Sequence, residues 1–250
     1  MPTVDLNADV GEGETPPAGD GPLLEVVTSA SVACGGHAGN RAVMAATVAG
    51  AGRLGVAVGA HPSYLDREGF GRRPVQVDPR LLAGQLRDQV GSLREVADVE
   101  GVRVRYVKAH GALYNAMAGD LDLAATVAGA VRDLGGLALL VQAGTPAVSV
   151  AEDLGLEVFG EAFCDRAYLP DGRLLDRGEP GAVLTDPAAV TAQALDLALD
   201  HRVRTVEGSW LAVRADSLCL HGDTPGAAGL AAAVRRALEG AGVGLAPFAP

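Results

Sequence analysis

The chain has 250 residues, 48% of them hydrophobic, and a formal charge of −11. That length supports one substantial core, and the acidic balance argues against nucleic acid or an anionic membrane as partner, since neither surface attracts an acidic protein. No apolar run reaches the roughly 18 residues of a membrane helix, and Met1–Gly13 lacks the basic and apolar regions of an export signal.

Aromatic residues make up only 4% of the chain, so an aliphatic core of parallel strands and Ala-rich helices is expected. The three cysteines, Cys34, Cys164 and Cys219, match no zinc or thioredoxin spacing and read as reduced thiols of a cytoplasmic protein.

In chain order, short apolar runs predict strands at Val4–Ala8, Ser29–Cys34, Val56–His61, Val104–His110, Leu137–Gln142, Leu156–Phe163 and Ser217–His221. Helical patterns fill the intervals at Arg41–Leu54, Pro79–Val99, Leu121–Leu134, Ala147–Leu154, Pro187–His201 and Ala227–Ala241. Asp78–Pro79 and Asp186–Pro187 each place a capping acid before a proline at the first helical position. Glu207–Ala215 reads as an extra extended segment or loop. No linker or composition shift divides residues 1–250, so one α/β domain is expected. The pattern alone fits an open doubly wound sheet or a (β/α) barrel.

Polar residues gather at the C-terminal ends of these strands, where α/β folds place their substrate crevice. Four of the five histidines, His37, His61, His110 and His221, sit at such ends; the fifth, His201, ends a helix, where its charge suits the dipole. Alternation along strands puts Asp5, Asn7 and Asp9 on one face, Lys108 and His110 on another, and Cys219, His221 and Asp223 on a third. A hydrogen-bonded network closing a barrel end would use the same residue types.

Lys108 is the sole lysine, and in an apolar strand it offers either a depressed pKa or a point charge. The loop Glu68–Arg73 supplies two glycines for flexibility and two guanidinium groups, Arg72 and Arg73, for an anion. Glu161 and Asp165 add carboxylates for acid–base work, and Arg166 could neutralise one of them as a structural pair. The chain contains no Walker-type phosphate loop, dinucleotide fingerprint, nucleophile elbow or H-E-x-x-H motif.

These blocks resemble the LamB/YcsF family nearly end to end: DLNADVGEGE, SASVACGGHAGN, GVAVGAHPSY, GFGRRPV, VKAHGALYN, EAFCDRAYLPDGRLLDR and LCLHGDTPGA, in that order. The chain departs from the usual family pattern at Gly36, Asn40, Ala109 and Cys164, and Asn40 replaces a carboxylate that could serve a metal or a proton. The resemblance implies a seven-stranded (β/α) barrel of the glycoside hydrolase and deacetylase type. It also implies an ATP-dependent 5-oxoprolinase in which this type of chain works with companion subunits B and C to open 5-oxoproline to glutamate. ATP would be bound by, or shared with, those partners.

Within that expectation Lys108, His110, Asp9, His61 and His221 are the catalytic candidates. Asp5, Asn7, His37, Arg72, Arg73, Tyr114, Asn115, Glu161, Asp165 and Asp223 are the substrate-binding candidates. Two alternatives stand beside it. One is a stand-alone metal-dependent C–N hydrolase, with a divalent ion on Asp5, Asp9, His37 and His61. The other is a non-catalytic subunit that delivers substrate.

Overall fold

Strand and helix alternate as the apolar rhythm predicts. The structure, a computed structural model, describes residues 2–16, 20–224 and 226–249. In chain order the strands are β1 (Thr3–Val10), β2 (Ser29–Ala33), β3 (Ala57–His61), β4 (Val104–Lys108), β5 (Ala138–Gln142), β6 (Val158–Phe163), β7 (Arg202–Arg204), β8 (Trp210–Ala212), β9 (Ser217–Leu220) and β10 (Gly244–Leu245). The helices are α1 (Gly21–Leu24), α2 (Arg41–Leu54), α3 (Pro79–Val99), α4 (Gly111–Met117), α5 (Leu121–Leu134), α6 (Ala147–Asp153), α7 (Pro187–Asp200) and α8 (Ala227–Gly240).

Strands β1 to β6 pair in sequence, β6 pairs with β9, and β9 returns to β1, so seven parallel strands close a barrel. This resolves the ambiguity of the sequence pattern in favour of the barrel. The short β10 adds a parallel partner to the outer end of β1, and β7–β8 form a separate antiparallel hairpin where an extended segment was expected. Helix α4 was not anticipated. It begins directly after His110, so β4 stops at Lys108 and His110 occupies the helix N-cap.

Alternation in β1 explains the layering. Leu6, Ala8 and Val10 join the apolar layer beneath the helices, while Asp5, Asn7 and Asp9 face the barrel axis. The helices return the complementary stripe. Leu82, Leu86, Val90 and Leu93 of α3 are buried at helical spacing, each worth about 2 kcal/mol of apolar burial. Asp78 and Asp186 cap α3 and α7 through two backbone N–H groups each, about 1 kcal/mol per cap. Among the described residues no helix is long and apolar enough to cross a membrane.

The two ends of the barrel differ. At the N-terminal end Phe248 packs on Tyr106 and Phe159, with ring centroids 4.7 and 4.8 Å apart, and closes the floor. The core is aliphatic as composition predicts, and three of the few aromatic residues, Tyr106, Phe159 and Phe248, form this plug. The C-terminal end opens into a cavity of about 740 Å³.

Candidate active site

Lys108 lies near the axis. Its Nζ meets Asp9 Oδ1 and Glu161 Oε1, each at 2.8 Å, with Cys219 Sγ at 3.2 Å and Asn7 Oδ1 at 3.3 Å. These partners stand on β1, β6 and β9, none of which neighbours β4, and only a side chain reaching across the interior can touch all three. Burial would lower its pKa, but Asp9, Cys219 and Glu161 outweigh burial and hold it well above the ordinary value. Of the two roles the sequence allows, the structure selects the fixed point charge, not the depressed pKa. Burial would likewise raise Asp9, yet His61 and Lys108 hold it well below the usual carboxylate range.

Above the lysine, three imidazoles converge. His37 and His110 stack at 3.6 Å, and His61 meets both edge-on. His61 donates Nδ1–H to the Lys108 carbonyl at 2.8 Å, and His110 donates Nε2–H to the Phe70 carbonyl at 2.9 Å. A neutral imidazole has a single N–H, so His61 Nε2 and His110 Nδ1 present lone pairs to each other at 2.9 Å. Two lone pairs repel at that separation unless a cation lies between them.

The cation can be a proton or a metal. Burial, with the neighbouring His61 and His37, keeps His110 well below its ordinary pKa, and burial with His61 brings His37 to about 2. A proton is therefore disfavoured on His37 and on His110. Glu12 completes the group, 3.2 Å from His37 and 3.7 Å from His110, and one ligand atom from each of Glu12, His37, His61 and His110 lies within 4.8 Å of the others. Burial and the charges of Asp9 and Asp223 push Glu12 well above the carboxylate range. A divalent cation would relieve both the facing lone pairs and this suppressed ionisation. The donor set fits an ion of the zinc or manganese kind, and the outer N–H bonds to carbonyls are the usual support of metal-binding histidines.

The backbone around this cluster is shaped for contact. Phe70 and Gly71 have φ of 53° and 65°, and a side chain on Gly71 would come within 2.9 Å of His37 Cβ and 3.0 Å of the His110 ring. Gly71 thus serves close approach, not the flexibility expected of it. Gly36 makes room for Gln89, whose carboxamide bonds both backbone groups of Ser63. Asn40 caps α2 through Ala42 and Val43 and stands apart from the donor group.

His221 belongs to a second pair. Asp165 accepts from its backbone N–H and its Nδ1, both at 3.0 Å. Burial raises the Asp165 pKa, but the His221 charge and hydrogen bonds lower it below the ordinary value overall. With Nδ1 held, Nε2 is the nitrogen left for proton transfer, and His221 lines the cavity.

The structure gathers at this mouth Asp9, His61, Lys108, His110, Tyr114, Asn115, Arg72 and His221. Asn7 and Glu161 lie just beneath, His37 stacks on His110 and Asp165 holds His221 behind the lining, and Asp223 joins Arg72 to Arg177 at 2.5 and 2.8 Å. Two candidates are placed elsewhere. Asp5 sits deep in the barrel, accepting from the hydroxyls of Thr28, Ser29 and Ser217. Arg73 points outward to Glu68 at 3.1 Å.

Glu12 was missed because Gly11, at φ 72°, turns the chain and breaks the two-residue alternation that located Asp9; its presence within DVGEGE was the available signal. Arg166 was weighed only as a structural partner of a carboxylate, and it makes no such pair among the described residues.

Fold and site together define a seven-stranded (β/α) barrel whose mouth carries a histidine–carboxylate centre. The chain belongs to the LamB/YcsF family, whose sequence model matches residues 4–250. It is 50% identical over 249 residues to the 5-oxoprolinase A subunit of Paracidovorax citrulli, covering 98% of this chain and 99% of that one. Among solved structures, the lactam utilization protein from Thermus thermophilus superposes with a TM-score of 0.91 at 41% identity, covering 98% of this chain and 100% of that one. A family 4 carbohydrate esterase from Streptomyces lividans shares the fold at a TM-score of 0.53 and 12% identity, over 100% of this chain and 94% of the other.

Proposed function

We propose that this chain is the A subunit of an ATP-dependent 5-oxoprolinase, acting with companion subunits B and C in the cytoplasm to open 5-oxo-L-proline to L-glutamate. The observation that carries the reading is one cavity lined both by His221, held by Asp165, and by the Asp9, His61 and His110 group. The names of the relatives at the same fold, a lactam utilization protein and a 5-oxoprolinase subunit, supply the substrate class. Buried free thiols at Cys34, Cys164 and Cys219 suit a reducing compartment.

An unactivated lactam carbonyl is a poor electrophile. Phosphoryl transfer from ATP to its oxygen, with the nucleotide held by or shared with the partners, turns that oxygen into a leaving group. Water then adds to the carbon, and the C–N bond breaks as the ring nitrogen takes a proton. The resulting acyl phosphate is opened by a second water, which releases phosphate and leaves the side-chain carboxylate of glutamate. His221, aligned by Asp165, takes the proton from water and returns one to nitrogen. Lys108 holds Asp9 ionised and sets an ammonium in the cavity floor beside the developing negative charge. Glu12, His37, His61 and His110 would hold a divalent cation, which supplies Lewis-acid polarisation of the carbonyl or a more acidic water.

The test is glutamate release from 5-oxoproline and ATP by the companion subunits, with this chain added or omitted. Release that requires this chain is expected; equal release without it removes the proposal. The histidine group also favours a second reading, a stand-alone metal-dependent C–N hydrolase, which predicts ring opening by the isolated chain without ATP. Metal analysis after purification without chelators should find about one divalent ion per wild-type chain and a large loss in His61→Gln; no ion in either preparation would remove the cation from both readings.

A further inference from the structure

Arg166 is 4% exposed, lines the cavity, and has no carboxylate within ion-pairing distance among the described residues. Its Nε donates to the Ala182 carbonyl at 3.2 Å and its Nη2 to the Leu175 carbonyl at 2.6 Å, which fixes the plane of the guanidinium. Carbonyl oxygens orient a cation without neutralising it. The neighbouring carboxylate that could do so, Asp165, is committed to His221.

The surroundings add positive charge. Arg72 and Arg177 stand on the same cavity wall, and both share the single carboxylate of Asp223. Arg173, also on the wall, is paired with Asp171. Among the described residues, Asp223 is thus the one carboxylate ion-paired with Arg72, Arg166 or Arg177. The two carboxylates on the cavity lining, Asp9 and Asp176, pair with none of the three, Asp9 meeting Lys108 and Asp176 accepting from the Gly178 backbone. A buried, oriented and unneutralised guanidinium is costly unless a ligand supplies the counter-charge.

We infer that Arg166 is the anchor for the substrate's carboxylate, with Arg177 and Arg72 as the outer positive rim, and that this contact sets selectivity for lactams bearing an α-carboxylate. The inference deepens the proposed function and rests on it for the identity of the substrate. A planar fork suits a carboxylate, and fixing that end of the ring leaves the carbonyl end to turn towards the histidines that line the same cavity. Arg166 is a binding residue in this scheme, and the chemistry belongs to His221 and the histidine group.

Calorimetry on the wild-type chain should show 5-oxoproline binding about 10- to 100-fold more tightly than 5-oxoprolinamide, its neutral isostere, the range expected for a charged hydrogen-bonded contact. Equal affinity, or no binding of the acid, overturns the inference without using any variant. In Arg166→Gln the preference for the acid should collapse while the amide's affinity is unchanged, with Arg166→Lys intermediate. Because Arg166 also ties two loop carbonyls, Arg177→Gln serves as a second variant, expected to weaken the acid by a smaller factor.

In the assembled enzyme, Arg166→Gln should raise KM for 5-oxoproline and leave KM for ATP unchanged. A rise confined to ATP would assign Arg166 to the phosphoryl group and overturn the proposal. Acid-selective binding by a chain that supports no turnover with its companions would sink the 5-oxoprolinase reading alone.

Discussion

Asp5 and Asp9 stand on the same face of one strand, four residues apart, and the barrel treats them in opposite ways. Asp5 is surrounded by hydroxyls of Thr28, Ser29 and Ser217, and burial raises its pKa from 3.8 to about 6. Asp9 meets His61 and Lys108, which outweigh burial and hold it ionised. The floor satisfies its acid with neutral donors and seals it under aromatic rings, whereas the mouth satisfies its acid with charge and leaves lone pairs facing one another. A carboxylate's identity says little about its task; what encircles it at that height in the barrel decides whether it is structure or chemistry.

That contrast can be broken at several heights. The largest effect is expected at the mouth. His221→Ala removes the group placed to move protons and should lower kcat of the assembled enzyme by about 10²–10⁴-fold. It also leaves the buried Asp165 without its imidazole partner and should lower the unfolding midpoint. A loss below threefold would remove His221 from proton transfer.

One layer down, Lys108→Met leaves Asp9 and Glu161 buried without their cation. It should therefore abolish turnover and also cost about 3–5 kcal/mol of stability, read by urea unfolding. A variant as stable as wild type would mean that the two acids become neutral without cost.

At the floor the effect is on pH dependence alone. Asp5 has a raised folded pKa, so the folded state binds its proton more tightly than the unfolded chain does. Its contribution to stability is full below pH 3.8 and is lost as pH rises through about 6, a difference of about 3 kcal/mol. Asp5→Asn should flatten that slope between pH 4 and 6.5 while metal content stays unchanged; an unaltered slope would place the titration elsewhere. The smallest effect is expected at the plug. Phe248→Ala should cost about 2 kcal/mol, since the ring is only partly buried, with kcat unchanged.

Much of the architecture was legible because parallel strands beneath helices read as short apolar runs at helix-sized intervals. The two Asp–Pro caps marked their helices directly. Barrel closure was not legible, because pairing of Ser217–Leu220 with β1 depends on the curvature of the whole sheet. Helix α4 was hidden because the 7 residues of GALYNAM make only about two turns, with no repeat long enough to show a period.

At the site, strand alternation located Asp9 and Lys108, and position at a strand end located His61. Alternation failed at Glu12, where a left-handed glycine redirects the chain, and at Arg73, where consecutive loop arginines diverge and only Arg72 reaches the cavity. Arg166 was visible as a residue but not as an unneutralised charge, since its lack of a carboxylate partner is a fact of three dimensions.

The polar lining of the barrel has a consequence for how the protein is made. β1 leaves the ribosome first, yet Asp5 finds Ser217 only 212 residues later. Until then the growing sheet is open at its seam. In a barrel filled with leucine and valine, that waiting period would expose an oily concave face to every passing nascent chain. Here the concave side presents aspartate, asparagine, serine, lysine and glutamate, which water solvates well, so the half-built sheet is guarded against aggregation by the same residues that later assemble the site.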